Sequence, residues 1–167
     1  SQSSEYGGFP AIMAIDGNPG DFTHTASTDG LAQWNLDFGE DLLLESINLH
    51  NRESCCGSRL RDITISILDL GGSTVFTSAL LNPENAEGAF PNGPSDLLLD
   101  LLSLNGGKAI KGAKLVVSRT ADPDLSGSGG QGNVDEANVL SLGEVTVIGG
   151  SVPEPVTGAL LLPALAL

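Results

Sequence analysis

Apolar and polar residues alternate along much of this chain, and the alternation locates strands. Trp34 to Gly39 (WNLDFG) alternates from its first residue. Leu42 to Asn51 (LLLESINLHN) does so in its second half, with Ile47 and Leu49 on one face and Ser46 and Asn48 on the other. Asp62 to Leu70 (DITISILDL) puts Ile63, Ile65 and Ile67 on one face and Thr64, Ser66 and Leu68 opposite. STVFTSAL follows the turn DLGGS, and GAKLVVSRT reads as a further strand. Leu140 to Gly149 (LSLGEVTVIG) closes the set. Its Leu140 and Leu142 differ in parity from Val145 and Val147, which predicts a bulge near Gly143. SDLLLDLLSL fits either a strand or a short leucine-rich helix. Period-two runs separated by Gly, Pro, Asn and Asp clusters predict an all-β antiparallel sandwich.

Composition agrees with that picture. A length of 167 residues suits one domain with an adequate core, and 22 Gly with 9 Pro favour short strands and many turns. Aromatics are 4 %, so Leu, Ile and Val must build the core. A formal net charge of −14 repels phosphate backbones and anionic membrane surfaces, which argues against nucleic acid as a partner. Acidic loops attract a hard cation such as calcium instead. The stretch Ala121 to Asn138 is polar and Gly-rich; its GGQGNVD is faintly like a calcium-binding Gly-Asp repeat, but one imperfect copy cannot stack, and a surface loop is the better expectation.

Both ends depart from the body of the chain. The N-terminal SQSSEYGGFPAIMAIDGN has no initiator Met, basic region or apolar run, so a leader is expected to be removed or missing. From Gly149 a Gly-Pro-rich linker leads into an apolar run, Val156 to Leu167. A membrane-spanning helix needs about 20 apolar residues; this run is shorter and contains Pro163. Residues 1–148 therefore read as the domain and 149–167 as linker plus tail, the latter expected to be truncated. The tail resembles the PEP-CTERM sorting signal through Val152, Pro153, Glu154 and Pro155 and the apolar run, without the basic cluster that normally follows. That resemblance implies export from a Gram-negative bacterium, retention at the cell surface and processing by an exosortase.

The chemistry concentrates in NRESCCGSRLRD, Asn51 to Asp62. It holds both cysteines and three of the seven basic residues, Arg52, Arg59 and Arg61. Cys55 and Cys56 fit four readings. They could be buried free thiols; a metal pair, although C-x2-C spacing is missing; a redox pair, which would want C-x-x-C; or a vicinal disulfide, a strained ring closed across adjacent Cα atoms about 3.8 Å apart. Arg52 and Arg59 flank the pair seven residues apart. Their guanidinium forks suit the hydroxyl and ring oxygens of a sugar, or equally ion pairs with any of the 21 acidic side chains.

AIDGNPGDFTHT, Ala14 to Thr25, resembles the early loop of discoidin-like, coagulation-factor type C domains. With WNLDFG, INLHNRESCCGSRLRD and LSLGEVTV, the resemblance runs from about Ser1 to Ile148. The branch it is most similar to is the F-type lectins, or fucolectins, whose motif is a His, a long spacer, then Arg-x-Asp-x4-Arg or Lys around a vicinal cysteine pair. Here His24 is followed by twenty-seven residues and then Arg52-x-Ser54-x4-Arg59. Ser54 stands where the family has an Asp that supports the arginines. The loop before His24 is also short for the family, which alters the rim facing neighbouring sugars.

The resemblance implies a galactose-binding-domain-like jelly roll and a fucose-binding site. His24, Arg52 and Arg59 would donate to the sugar, with Ser54 beside them, and a Cys55–Cys56 disulfide would pack against its apolar edge. It also implies a structural Ca2+ held by Asp16, Asn18, Asp21 and Glu144, with the Met13 carbonyl as a further ligand. Asp21 falls where the family often has Ser or Thr. Without the family, DGNPGD reads as an Asx turn held by its own side chains.

Three function classes follow: a glycan-binding module, an exported structural or adhesive protein that has lost the sugar site, and a glycoside hydrolase. The hydrolase needs paired carboxylates, and no Ser-His-Asp elbow, zinc motif or phosphate loop accompanies them. His50 reads as a strand-end histidine rather than a base. The expected function is therefore not enzymatic.

Overall fold

The computed structural model describes residues 1–125 and 137–153. Six antiparallel strands carry the fold: β1 (Gln33–His50), β2 (Ile63–Leu68), β3 (Thr74–Thr77), β4 (Asp96–Asp100), β5 (Ile110–Arg119) and β6 (Glu144–Ser151). The all-β antiparallel expectation holds. The motifs expected in 126–136 and after Pro153 lie outside the described residues.

One strand organises the rest. The two strands expected at 34–39 and 42–51 are a single β1, 18 residues long. Its register slips between Asp37 and Leu42, where Gly39 sits at φ +79, a region open to Gly at no steric cost. Along one edge β1 pairs first with β5 (Gln33 to Leu44) and then with β4 (Ser46 to His50); along the other it pairs with β6. The change of partner at Glu45 is where the sandwich forks. The order on one side is β3-β2-β5-β1, and β4 and β6 flank the far half of β1.

The core lies between these layers. Ile47, Leu49, Ile63, Ile65, Ile67, Leu115 and Val117 alternate inward and are fully buried, as the period predicts. Each is worth about 1.5–3 kcal/mol relative to exposure. Trp34 is buried as well, and its Nε1–H donates to the Ala11 carbonyl at 2.8 Å. This ties the 3-10 helix Ala11–Ile15 onto the sheet.

Three local expectations are corrected. SDLLLDLLSL is both alternatives in series: β4 ends at Asp100, whose carboxylate accepts from Ser103 N–H and caps a one-turn helix, Leu101–Leu104. Gly143 is not a bulge within a strand, because β6 begins after it. Leu140 and Leu142 instead pair through their backbones with Thr25 and Thr23. A Cβ at Gly143 would lie 2.7 Å from the Asn51 carbonyl, so the glycine permits that close approach. Finally, β6 runs through Gly149 and Gly150 to Ser151, three residues past the expected domain boundary. Among the described residues no helix is long and apolar enough to cross a membrane.

Candidate functional site

The end of β1 delivers Arg52 and the two cysteines into the connection to β2. Asn51 anchors that connection. Its Nδ2 donates to the Gly57 and Pro94 carbonyls, both at 2.8 Å, and its Oδ1 accepts from Arg52 N–H at 2.9 Å. Cys56 turns the chain with φ +71, and a 3-10 turn, Gly57–Arg59, follows. Gly57 packs so closely on the 90–93 segment that a Cβ there would sit 2.6 Å from the Pro91 carbonyl.

His24 arrives from the opposite direction. Thr23 and Thr25 fix its segment against 140–142: their N–H groups donate to the Leu142 and Leu140 carbonyls, and their hydroxyls accept from Leu142 and Leu140 N–H. The result brings His24, Arg52 and Arg59 together, each at most 7 % exposed.

Inside the cluster the polarity is readable. The His24 Nδ1 lies 2.6 Å from the Thr25 carbonyl, which can only accept, so Nδ1 carries the proton. In the neutral ring Nε2 is then an acceptor, and Arg59 Nη1 donates to it at 2.9 Å. Both ring nitrogens are thus engaged within the protein, and His24 orients Arg59. Arg52 donates through Nε and Nη2 to the single Ser54 oxygen, at 3.2 and 2.9 Å, and through Nη1 to Ser141 Oγ at 3.4 Å. Ser141 in turn donates to the Thr23 carbonyl, joining Arg52 to the His24 segment. Ser54 Oγ thus meets Arg52 as a neutral acceptor.

Aromatic rings back this cluster. Phe9 stacks on Phe22 (4.6 Å, 12°), and the Arg52 guanidinium carbon lies 3.5 Å from the Phe22 ring centroid. The exposed ring of Tyr6 lies 4.9 Å from that of His24. Sequence reading missed Phe9, Phe22, Tyr6, Asn51 and Ser141. A signal existed for Phe22, because FTHT alternates and puts Phe22 on the face of His24.

Cys55 is exposed, Cys56 is half-buried, and both are thiols in this structure. Burial pushes the Cys56 thiol above its ordinary value, and the hydrogen bond with Cys55 adds to that; the charges of Arg59 and Arg52 oppose it. Arg61 does not join the cluster. It is fully buried and forms interior ion pairs with Asp62 at 2.9 Å and Asp122 at 2.7 Å. His50 pairs with Asp96 at the strand end, Nδ1 to Oδ1 2.5 Å.

The acidic loop meets β6. Asp16 Oδ1 accepts from Asn18 N–H (2.9 Å) and Asn18 Oδ1 from Gly20 N–H (3.2 Å), two consecutive Asx turns. Asn18 Nδ2 also donates to Asp21 Oδ2 at 3.0 Å, so the Asn18 amide is occupied in shaping the loop. Glu144, at the start of β6, faces the backbone of this loop at Gly17. Burial raises its carboxyl above the ordinary range, and Asp16 and Asp21 push the same way against Gly17 and His50. Asp21 Oδ1 and Glu144 Oε2 are buried without a hydrogen bond among the described residues. Two desolvated carboxylate oxygens, one from the acidic loop and one from β6, fit a hard cation. The acids do not close into a cluster of three, so a calcium ion would also need backbone and amide oxygens. Met13 lies in the 3-10 helix that leads into the loop.

The family model for NedA-like, galactose-binding domains matches residues 13–92. A Streptococcus pneumoniae fucose-binding module, SpX-3, is similar over 89 % of this chain and 90 % of its own, at 27 % identity and TM-score 0.65. The lectin domain of lectinolysin, solved with Lewis B antigen, is 23 % identical over 89 % of each chain, TM-score 0.65. The family 32 carbohydrate-binding module of C. perfringens NanJ, solved with galactose, is 19 % identical over 88 % of this chain and 90 % of its own, TM-score 0.63. No curated protein matches the sequence.

Proposed function

We propose that this chain, whose fold is that of carbohydrate-binding modules related to fucose- and galactose-binding lectin domains, is a non-enzymatic module that holds a fucose-like terminal sugar at the Arg52–Arg59 end of the sandwich. The observation that carries the reading is the convergence of Arg52 and Arg59, oriented by Ser54 and His24, on either side of the accessible Cys55–Cys56 turn. The arginines donate to sugar hydroxyls, and the sulfur pair, closed as a disulfide in an oxidising compartment, offers a polarizable surface to the C–H face. Calcium at Asp16, Asp21 and Glu144 would hold the supporting loops rigid before binding, which lowers the ordering cost. Export and surface attachment rest on the Val152 to Pro155 motif and the apolar run after it.

A site for one terminal sugar binds the monosaccharide at about millimolar to micromolar Kd, roughly −4 to −8 kcal/mol. Titration calorimetry with L-fucose, D-galactose and Lewis-type oligosaccharides, with and without calcium, tests it. Fucose-dependent heat is expected. A specific observation favours the second reading, a surface protein that keeps the fold without sugar binding: donors of Arg52 and Arg59 already point at Ser54, Ser141 and His24. Absence of binding to every glycan on an array, with calcium present and the cysteines oxidised, would establish that second reading.

A further inference from the structure

We propose that the cleft beside the cysteine turn is a second sugar subsite, which takes an uncharged hexose joined to the terminal sugar and turns anionic sugars away. The inference rests on the sugar-binding reading of the adjoining Arg52–Arg59 site. Three parts of the chain wall the cleft: Pro19 from the acidic loop, His50 and Glu53 from the end of β1 and the turn after it, and Phe90, Ser95 and Asp96 from the 90–96 segment. Its volume is about 130 Å3. That is well below the roughly 300 Å3 at which sites for drug-sized ligands begin, so it suits a single ring. Glu53 lies two residues before Cys55, which keeps their Cα atoms within about 7 Å. The cleft therefore adjoins the turn.

Its walls are held before any ligand arrives. Phe90 is 47 % exposed, yet its backbone is locked. Phe90 and Gly93 exchange two hydrogen bonds, Gly57 N–H donates to the Pro91 carbonyl at 3.1 Å, and Asn85 Nδ2 donates to the Asn92 carbonyl at 2.8 Å. Asn51 N–H fixes the Ser95 carbonyl at 2.8 Å. Asp96 Oδ1 meets His50 Nδ1 at 2.5 Å and Asn48 Nδ2 at 3.0 Å. Among the described residues no donor reaches Asp96 Oδ2, and none reaches the carboxylate of the exposed Glu53. A fixed aromatic ring beside open carboxylate oxygens matches the two sides of a pyranose, its C–H face and its hydroxyls.

The sign of these groups sets the ligand class. Carboxylates accept from neutral hydroxyls without a partner charge. A sulfate or carboxylate on the sugar would meet Glu53 and Asp96 in a chain of net charge −14, and like charges brought together disfavour that partner. His50, the basic side chain of the wall, is already committed to Asp96.

The test is calorimetry of the full chain, with calcium present and the cysteines oxidised. The probes are L-fucose, fucosyl-galactose disaccharides of differing linkage, and the same disaccharides sulfated on galactose. At least one neutral disaccharide should bind about tenfold tighter than L-fucose, which is about 1.4 kcal/mol, the net worth of roughly one hydrogen bond. Phe90→Ala and Glu53→Ala should each remove most of that gain and leave L-fucose within about 2-fold of wild type. The sulfated form should lack the gain in wild type and recover part of it in Glu53→Gln, which removes the charge and keeps an acceptor. Glu53 is exposed, so its variants keep the fold, and for Phe90→Ala the L-fucose affinity itself reports an intact turn. L-fucose binding without a gain for any disaccharide, a gain that survives both alanine substitutions, or equal affinity for the sulfated form would overturn the subsite and leave the arginine site standing. Binding of no sugar at all would remove both.

Discussion

Asn51→Ala removes no ligand contact, yet it should unsettle the whole site. Asn51 is 4 % exposed, and three hydrogen bonds end on its side chain, at 2.8, 2.8 and 2.9 Å. Truncation orphans the Pro94 carbonyl and the Arg52 N–H, both on buried residues, while the Gly57 carbonyl keeps the Leu60 N–H. A buried polar group left unpaired costs about 1–3 kcal/mol. Two at the lower end give about 2 kcal/mol, less if water enters the space the amide vacates. With a urea m-value of about 2 kcal/mol/M, the unfolding midpoint should fall by about 1 M at unchanged m. Trp34 is the single tryptophan of the chain and is 1 % exposed, so its fluorescence reports the transition directly. Asn51→Asp is the companion variant. It keeps the acceptor for Arg52 N–H but turns a carboxylate oxygen toward two carbonyls, and should be at least as destabilising. A midpoint within about 0.3 M of wild type for both variants, at equal m and saturating calcium, would refute this account of how the turn is held.

Arg52→Ala should weaken fucose binding by about 1.5–3 kcal/mol, as for hydrogen bonds from a charged donor, measured by calorimetry; an unchanged Kd removes Arg52 from the site. Glu144 has its folded pKa raised, chiefly by burial, so metal-free protein should lose stability as pH rises from the ordinary Glu value through the raised one. Glu144→Gln should therefore raise the melting temperature of metal-free protein at pH 7 and abolish the rise on adding calcium; a full calcium response in that variant counts against the site. Intact mass should fall by two hydrogens when Cys55 and Cys56 oxidise, and two alkylatable thiols in protein prepared under oxidising conditions would rule out the vicinal bond.

The strands were legible because one buried face imposes a period of two, and Ile63, Ile65 and Ile67 obey it without exception. What the period could not reveal is continuity. Gly39 reads as a break between two strands, but its positive φ only slips the register, and β1 runs on. The cluster around the cysteines was legible as chemistry, but not as a division of labour. Arg61 lies two residues from Arg59 and turns inward to Asp122, sixty-one positions away. No local spacing encodes that choice. Asn51 escaped notice for a similar reason: its partners, Gly57 and Pro94, become neighbours only when the 90–94 segment folds against the turn.

The long β1 also has a consequence for the order of events during synthesis. Its residues Ser46 to His50 pair with β4 and β6, which follow roughly 50 and 100 residues later in the chain. At about 5–20 residues per second, β1 waits roughly 5–20 s for its last partner to be made. During that interval Leu44, Ile47 and Leu49 have no second layer to cover them, and the strand has an open edge. Arg52 and the cysteine turn hang from the same strand end. The proposed binding site is therefore among the last parts of the domain to take shape, and any ligand or ion it holds can act only after the chain has been committed to its final topology.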